Sequence, residues 1–198
     1  MKQGSKEWHE SRANRLTASR FASAIGVCKY TTRQKLYREY MGLDPKFEGN
    51  EATRWGAEHE SDAIFEIECV SGLLVEETGF HVHPDYDWIG ASPDGLINDK
   101  GCIETKCPFF KKEPHQEVPI NYMAQIQGVM EVLDRDWCLF GSWTEGDSSI
   151  FKVERSKEYW GWMFPKLEAF WSHVKKGRPP KREKKEYFNG EIKIERIK

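Results

Sequence analysis

The chain lacks the patterns that mark secreted, disulfide-bonded or membrane-spanning proteins. Its five cysteines are odd in number and have no C-x-x-C spacing, which argues against a zinc site and against a disulfide framework. The same usage of cysteine indicates a reducing compartment. The opening residues, MKQGSKEWHE, contain no apolar run, so no signal peptide is predicted. No stretch approaches the roughly 20 apolar residues of a membrane span. We therefore expect a cytoplasmic protein without a membrane partner.

The chain also lacks a strong charge of either sign. With 30 basic and 32 acidic residues its formal net charge is −2, so composition alone does not indicate a nucleic-acid binder. This balance does not exclude one, because an acidic metal site can offset basic patches elsewhere on the same molecule. The 198 residues, 38% of them hydrophobic, predict one globular domain that buries a real core.

The N-terminal third has the patterns of helices. Residues 5–40 are predicted to be helical, beginning at the N-cap Ser5. The longest helical pattern covers residues 51–70, and Gly72 is placed to end it. We therefore expect a helical N-terminal part over residues 1–72.

The remainder, residues 73–177, alternates between short strands and helices. Strands are predicted in LLVEETGFHVH, DWIGASPDGLI, GCIETKC, WCLFGSWT and SIFKVER, and a helix in INYMAQIQGVMEVLD. A last helix precedes Gly177, and we expect Pro165 to interrupt it. This order predicts an α/β (α+β) fold with a central mixed β-sheet flanked by helices. Residues 178–198 form a basic tail that is by default a solvated segment, with an extra strand, a DNA contact or a subunit contact as alternatives.

A hairpin pattern, ASPDGLINDKGCIETKCP, spaces an Asp, a Glu and a Lys as D-x9-E-x-K. Glu104 and Lys106 are two apart on a strand, so their side chains point to the same face, and folding of the hairpin brings Asp94 opposite Glu104. We expect Ile103 to face the core while Glu104 and Lys106 lie on an exposed polar face. Clustered carboxylates require a neutralising cation, and oxygen ligands suit Mg²⁺ or Mn²⁺. The alternative is a surface hairpin with a Glu–Lys pair.

Four segments, in order, resemble the motifs of one known family. WHESRANRLTAS, RWGAEHE, SPDGL with IETKCP, and YMAQIQGVM are similar to motifs of the PD-(D/E)xK nucleases. More narrowly, they resemble the phage lambda exonuclease and YqaJ-like viral recombinase family, over about residues 7–135. The resemblance implies a restriction-endonuclease-like core and a single nuclease domain over residues 1–198, with the catalytic core in 73–177. The chain departs from the family at ANRL, where the family has a small apolar stretch.

The resemblance also implies a two-metal site. Asp94 and Glu104 would ligate the catalytic Mg²⁺ ions, for which Mn²⁺ is a possible substitute, and the Thr105 carbonyl would be a further ligand. Glu60 would complete or steer the second metal ion. Lys106 would act on the nucleophilic water.

Two of the implied positions have a close competitor. Gln125 would hydrogen-bond the water or the scissile phosphate, but Gln127 lies on the same predicted helix. Glu60 competes with Glu58 in GAEHE, and the family spacing favours Glu60.

A second implied site would hold a terminal 5′-phosphate. Arg12 and Ser19 take this role by resemblance, and Ser19 lies near the start of a short predicted helix, where backbone N–H groups favour anions. Arg15 competes with Arg12. Trp8 and Trp55, close to the motifs, are either core residues or surfaces for DNA.

The implied function is a Mg²⁺-dependent 5′→3′ exonuclease acting on linear double-stranded DNA ends, in phage-type recombination or DNA end resection. It would be encoded by a phage or another virus and act in the host cytoplasm, beside a single-strand annealing protein, as a ring-shaped trimer or a monomer. The alternatives are a structure-specific or site-specific endonuclease on the same fold, and a non-catalytic DNA-binding recombination module.

Overall fold

The computed structural model describes residues 5–45, 47–182 and 184–198. The first four residues of the predicted N-terminal part, and Glu183 of the predicted tail, lie outside the described residues. The helices are α1 (Lys6–Ala13), α2 (Phe21–Ala24), α3 (Arg33–Tyr40), α4 (Glu51–Glu58), α5 (Glu60–Ser71), α6 (Ile120–Val132) and α7 (Lys157–Lys175). The strands are β1 (Leu16–Thr17), β2 (His81–Val82), β3 (Ile89–Ala91), β4 (Gly95–Ile97), β5 (Gly101–Lys106), β6 (Trp137–Thr144), β7 (Asp147–Glu154) and β8 (Ile194–Arg196). A 3-10 turn, Ala18–Arg20, precedes α2.

Two sheets form the framework of the fold. The larger has the order β4-β5-β6-β7-β8, with β5 and β6 parallel and the other neighbours antiparallel. The smaller has the order β1-β3-β2, with β1 parallel to β3 and β2 antiparallel to it. The predicted mixed sheet is confirmed, and a second, three-stranded sheet accompanies it.

Helices cover both faces of the larger sheet. On one face, Ile67 of α5 joins a buried cluster with Ile103, Leu139 and Ile150 of the strands. On the other face, strand residues such as Cys102 belong to a larger cluster built from α2, α3, α6 and α7. The successive side chains of β5 therefore alternate between two covered faces. Parallel strands covered on both sides are typical of such a layered fold.

The expected exposed face of β5 is wrong. Glu104 is only 1% exposed, because α6 covers the face of β5 on which it lies. The side chain of Lys106, at the end of the strand, is 24% exposed. β5 is thus an internal strand of the sheet, with the carboxylate of Glu104 inside the molecule.

Three helix predictions also need correction. Residues 16–17 form the short strand β1 inside the segment predicted as helix. The 51–70 helix is two helices, α4 and α5, separated at His59, whose backbone φ of −104° is not helical. The last helix, α7, runs through Pro165 without ending there.

Packing explains why α7 continues through Pro165. Met163, Leu167 and Phe170 are each fully buried on one side of the helix. Their burial spans the proline and outweighs its local cost of about 3 kcal/mol. Gly72, with φ of +69°, ends α5 as predicted.

The C-terminal tail provides an edge strand. β8 pairs with β7, so the extra-strand alternative is the one that the structure adopts for residues 194–196. Lys198 also pairs with Glu66 of α5, 2.5 Å away. Across the described parts of the chain, no helix combines the length and apolar character needed to cross a bilayer.

Candidate active site

The hairpin of β4 and β5 positions the acidic residues. Gly95 pairs with Ile103 and Ile97 with Gly101, and the turn uses Asn98 at a positive φ of 45°. Asn tolerates this left-handed conformation, and its side chain accepts a hydrogen bond from the Lys100 N–H at 2.8 Å. This register places Asp94, just before β4, opposite β5 at the level of Glu104.

Asp94 is held by the backbone and side chain of one residue on β5. Its Oδ2 accepts hydrogen bonds from the N–H of Thr105 at 2.6 Å and from the Thr105 Oγ1 at 2.8 Å. Two donors on one oxygen fix the carboxylate rotamer and leave the other oxygen, Oδ1, for another partner.

Glu104 has one engaged and one free oxygen. Its Oε1 accepts hydrogen bonds from Lys106 Nζ and, at 2.5 Å, from Gln125 Nε2. Its Oε2 is buried and has no hydrogen-bond partner among the described residues. Lys106 Nζ also donates to the Thr105 carbonyl at 2.9 Å. A buried carboxylate oxygen without a donor is costly unless a cation or another ligand completes it.

Three ionisable groups of the site have shifted pKa values because they are buried close to one another. Burial raises the pKa of Glu104 to about 8, and the carboxylate of Asp94 adds to this while the Lys106 ammonium opposes it. Burial also raises the pKa of Glu60 to about 7, again with a contribution from Asp94. For Lys106, burial lowers the pKa, but the carboxylates of Glu104 and Asp94 more than offset this and hold it above its usual value. Three carboxyl groups and one ammonium therefore act on one another.

The structure separates the two competing pairs predicted from the sequence. Glu60, at the start of α5, is half-buried and interacts with Asp94, whereas Glu58 is exposed at the end of α4. Gln125 contacts Glu104, whereas Gln127 is buried away from the site and bonds the backbone of β7 and α7. Glu60 and Gln125, the residues to which the family resemblance assigned a role, are thus the ones brought to the carboxylates.

The two candidate arginines also differ. The Arg15 guanidinium is bound to the protein's own backbone, donating to the carbonyls of Asp87 at 2.7 Å and Ser11 at 2.6 Å. The Arg12 guanidinium instead stacks on the ring of Trp8, 4.0 Å from its centroid, and has no acceptor among the described residues. Its burial lowers its pKa. A half-buried guanidinium without an acceptor is suited to an anion.

Trp8 connects this arginine to the carboxylates. Its Nε1 donates to Ser92 Oγ at 2.9 Å, two residues before Asp94. Trp8 is therefore an internal support for Arg12 in this structure. Trp55 packs against His59 and Phe109, with ring centroids 4.0 and 6.0 Å away.

Ser19 lies on the exposed side of the 3-10 turn. Its hydroxyl is 3.2 Å from Thr17 Oγ1, and the neighbouring Arg20 pairs with Glu39 at 3.1 Å. Arg12 and Arg20 both act electrostatically on Tyr40. The structure thus brings Arg12 and the 3-10 turn around one tyrosine, although the turn is shorter than the predicted helix.

The chemistry of the donor set fits a divalent cation. Asp94, Glu104, Glu60 and the Thr105 carbonyl offer only oxygen atoms, which Mg²⁺ and Mn²⁺ prefer. In residues 5–45, 47–182 and 184–198, no three His, Cys, Asp or Glu side chains converge tightly enough to enclose an ion. The free Glu104 Oε2 and the mutual repulsion of the carboxylates are nevertheless what a cation would relieve.

Sequence reasoning missed two residues beside the site. Tyr122 lies one helical turn before Gln125 on α6, and its ring centroid is 5.1 Å from Lys106 Nζ. The i, i+3 spacing to Gln125 is the signal that places it on the same face. Ser92, which anchors Trp8, has no signal beyond its position two residues before Asp94.

The chain resembles solved exonuclease structures. An alkaline exonuclease from Laribacter hongkongensis, LHK-Exo, superimposes with a TM-score of 0.75 and 29% identity, over 87% of this chain and 94% of that one. The same enzyme in complex with dAMP gives a TM-score of 0.76. A phage-related exonuclease from Haemophilus somnus shares the fold at a TM-score of 0.66 and 17% identity, over 82% of this chain and 94% of that one.

Sequence comparison gives two relatives and one family. The uncharacterized protein YqaJ of Bacillus subtilis is 27% identical over 84% of this chain and 55% of its own length. The uncharacterized protein R354 of Acanthamoeba polyphaga mimivirus is 24% identical over 70% of this chain and 28% of its own length. The chain thus spans about half of the first relative and less of the second. The YqaJ-like viral recombinase domain matches residues 7–136. The chain therefore belongs to the YqaJ-like viral recombinase domain family, on the PD-(D/E)xK nuclease fold.

Proposed function

We propose that the protein is a metal-dependent exonuclease that degrades one strand of linear double-stranded DNA from its 5′ end. The single observation that carries this is the buried Glu104 Oε2, which lacks a partner in the described chain and lies among Asp94, Glu60 and Lys106. A buried carboxylate cluster of this kind has a use in binding cations and none in stabilising a core. The fold shared with LHK-Exo at 29% identity supports an exonuclease.

Each residue of the cluster has a chemical task in this proposal. Asp94, Glu104, Glu60 and the Thr105 carbonyl would hold two Mg²⁺ ions, with Mn²⁺ as a substitute. The bound ions would supply Lewis-acid activation of water and neutralisation of charge on the scissile phosphate. Gln125, which holds Glu104 Oε1 at 2.5 Å, positions that carboxylate and orients the attacking water.

Lys106 contributes positive charge at the same place. Its Nζ contacts both Glu104 and the Thr105 carbonyl, so it is fixed beside the oxygens that would bind metal. From there it orients the water and offsets the negative charge that develops on the phosphate during hydrolysis. The ring of Tyr122 beneath the ammonium keeps this lysine in place by a cation–π contact.

The polarity of the reaction depends on Arg12. Its guanidinium has no acceptor in the described chain, and Trp8 and Ser92 connect it to Asp94. A terminal 5′-phosphate bound by Arg12 and the Ser19 hydroxyl would place the first phosphodiester bonds at the carboxylates. Each cut leaves a new 5′-phosphate, so the same pocket serves every cycle. Backbone contacts alone would make cleavage independent of sequence.

The biological setting follows from the family. A 5′→3′ exonuclease of a viral recombinase family would resect DNA ends in the host cytoplasm and expose single strands for an annealing protein. We propose one nuclease domain over residues 1–198, with residues 73–177 as its catalytic core and residues 178–198 as its tail. A ring-shaped trimer would make degradation processive, whereas a monomer would release DNA between cuts.

Digestion of matched substrates tests the proposal. Linear duplex DNA with 5′-phosphate ends, the same DNA with 5′-hydroxyl ends, and closed circles are incubated with the protein and Mg²⁺. We expect rapid loss of the phosphorylated linear strand, slower loss of the hydroxyl form and intact circles. Cutting of circles would instead establish an endonuclease. Binding of DNA without any cleavage would leave a non-catalytic module.

Glu104→Gln is the variant for the metal site. It preserves the shape of the side chain and an acceptor for Lys106 and Gln125, but removes the charge needed for a divalent ion. We expect cleavage to fall by at least about 10³-fold, comparable to the loss of a major transition-state contact. Isothermal titration with Mn²⁺ should show weaker metal binding in the same variant. Unchanged metal binding and activity would remove Glu104 from the proposed site.

Arg12→Gln and Arg15→Gln form a matched pair for the phosphate pocket. Arg12→Gln should abolish the preference for phosphorylated over hydroxyl ends, because the free guanidinium is lost. Arg15→Gln should keep that preference and lower stability by only about 0.5–1.5 kcal/mol, because an exposed and a partly buried carbonyl lose a charged donor but can bind water instead. Rates on both substrates and thermal melts distinguish the two effects. A retained preference in Arg12→Gln would contradict the pocket.

A further inference from the structure

A basic cavity lies beside the start of α3, apart from the carboxylate site. Its volume is about 510 Å³. Six of the ten described residues that line it are cationic: Lys29, Arg33, Lys181, Arg182, Lys184 and Lys185. No carboxylate is found among its described lining residues. In a chain of net charge −2, the described residues of this cavity therefore concentrate positive charge.

Three of these cations are not neutralised within the described chain. Lys181, Arg182 and Lys184 are exposed, and no described carboxylate lies within ion-pair distance of them. Other exposed cations of the protein are paired, as Lys100 is with Asp136 at 2.9 Å and Arg38 with Asp44 at 2.8 Å. Like charges held together in one cavity repel one another, so such a cluster is suited to an anionic partner with several charges.

Lys29 relates the cavity to the proposed catalytic site. Lys185 Nζ donates to the Cys28 carbonyl at 3.4 Å, so Lys185 is held against the residue that precedes Lys29. Burial lowers the pKa of His115, and the charges of Lys29 and Lys106 both add to that lowering. The ammonium groups of Lys29, which lines the cavity, and of Lys106, in the carboxylate site, are thus both near enough to His115 to affect its charge.

The rings of His115 and Tyr122 lie near both Lys106 and the cavity residue Lys29. Tyr122 stacks on His115 with ring centroids 5.6 Å apart, and the same Tyr122 ring lies 5.1 Å from Lys106 Nζ. Lys29 also acts electrostatically on Tyr122. Lys106 and the cavity residue Lys29 are thus related through the rings of Tyr122 and His115.

We propose that this cavity binds backbone phosphates of the DNA substrate beside the bond that is cut. Lys29, Lys181, Arg182 and Lys184 would contact phosphate oxygens without reading bases. The cavity would be a second DNA contact, distinct from the Arg12 pocket for the terminal phosphate. This inference rests on the proposed nuclease function and assigns a task to the C-terminal tail. Phosphate contacts by lysine and arginine release counterions, so they appear as a salt-dependent part of the affinity.

The salt dependence of DNA binding is therefore the measurement. The variant Lys181→Gln/Arg182→Gln/Lys184→Gln removes three exposed charges without touching the carboxylates. Fluorescence anisotropy with a blunt duplex in EDTA gives Kd at several salt concentrations. We expect the slope of log Kd against log salt to decrease by about 2–3, since each phosphate contact contributes about 0.9. With Mg²⁺, KM for duplex DNA should rise at least about tenfold while kcat at saturating DNA stays within about twofold.

A matched control removes the same charge from a neighbouring segment. Lys175→Gln/Lys176→Gln/Arg178→Gln changes three exposed cations at the end of α7 that do not line the cavity. We expect its slope to change by less than about one unit. The charge-preserving variant Lys181→Arg/Lys184→Arg should keep the slope of the unaltered protein. Thermal melts of all variants should coincide, because no described contact of the altered side chains is lost.

Three results would overturn the inference. If the slope of log Kd against log salt decreases equally in the cavity variant and its control, the charges act at long range and the cavity does not contact DNA. If the slope is unchanged in both while the unaltered protein cuts DNA, the substrate lies elsewhere and the proposed function still stands. If the unaltered protein neither binds nor cuts duplex DNA, the proposed function fails, and this inference fails with it.

Discussion

Two glutamines on one helix have different tasks because they lie on different faces. Gln125 and Gln127 are two residues apart on α6, and therefore about 200° apart around its axis. Gln127 is buried, donating to the Glu154 carbonyl at 2.9 Å and accepting from the Ser156 N–H at 2.8 Å, so it joins the end of β7 to the start of α7. Gln125 contacts Glu104 in the candidate site.

Alanine substitutions should separate these tasks. Gln127→Ala should lower stability by about 1–3 kcal/mol, because two partly buried backbone groups lose their partners. Gln125→Ala should leave the melting temperature nearly unchanged and reduce kcat by roughly tenfold to hundredfold. Thermal melts and single-turnover cleavage rates measure both effects. A stability loss in Gln125→Ala equal to that of Gln127→Ala would mean that Gln125 is merely structural.

The burial of His83 makes the stability of the fold depend on pH. It is 6% exposed, its Nδ1 accepts from the Asp85 N–H at 3.1 Å, and it stacks on Trp160. Burial lowers its pKa, assisted by Arg155 and opposed by the carboxylates of Glu131 and Asp85. Between the lowered folded value and the ordinary value near 6.5, the unfolded chain binds more protons. This histidine therefore destabilises the fold as pH decreases below about 6.5.

His83→Gln removes that titration while retaining an acceptor for the Asp85 N–H. The unaltered protein should be the more stable of the two at about pH 8, since its imidazole fills the site beside Trp160. We expect this advantage to shrink as pH is lowered to about 5.5, where protonation of the unfolded chain penalises only the histidine form. Paired thermal melts across this range measure the difference. A constant difference would show that the His83 pKa is not lowered.

At the scale of helices and strands, periodicity predicted most elements, and tertiary packing decided the others. The helix α6 and the hairpin of β6 and β7 lie where their patterns predicted them. The burial of Glu104 could not be predicted, because strand alternation says which side chains share a face but not whether a helix covers it. The same limit applies to α7, where buried contacts on both sides of Pro165 keep the helix continuous.

Two glycines in helices offer an element-scale prediction. A Cβ added to Gly161, on the exposed side of α7, would have no described neighbour within 4 Å, whereas a Cβ at Gly128 of α6 would lie 2.4 Å from a ring carbon of Phe21. Gly161→Ala should stabilise the protein by about 0.5–1 kcal/mol through helix propensity. Gly128→Ala should destabilise it by about 1–3 kcal/mol through overpacking against α2. Chemical denaturation gives both values, and a stabilising Gly128→Ala would contradict the close helix contact.

At the scale of the whole molecule, the candidate site draws on segments far apart in sequence. Arg12 comes from α1, Glu60 from α5, Glu104 from β5 and Gln125 from α6. The chemistry of the side chains and the hairpin spacing identified the Asp–Glu–Lys set from the sequence. They did not decide whether Glu58, Arg15 and Gln127, rather than their neighbours, belong to the site. The family resemblance favoured one residue of each pair, and only the three-dimensional arrangement shows that these face the carboxylates or lack an internal partner.

The C-terminal tail packs on α7 and then adds a strand to the edge of the larger sheet. Phe188 packs on Tyr159 and Trp162 of α7, with ring centroids 4.9 and 5.7 Å apart, and β8 then pairs with β7. These contacts attach the tail, whose residues Lys181, Arg182, Lys184 and Lys185 line the basic cavity. Phe188→Ala should therefore lower stability by about 1.5–2.5 kcal/mol, roughly half the cost of emptying a fully buried aromatic site.

Phe65→Ala is the matched control, because Phe65 is also aromatic but 65% exposed on α5. We expect a decrease in melting temperature of roughly 5 °C for Phe188→Ala and little change for Phe65→Ala. Hydrogen exchange should increase in residues 187–196 of Phe188→Ala more than in β5, because the tail is attached through this ring and the central strand is not. Equal melting temperatures for the two variants would show that the tail contributes nothing to global stability, and its strand would then be a local addition to a sheet that is already complete.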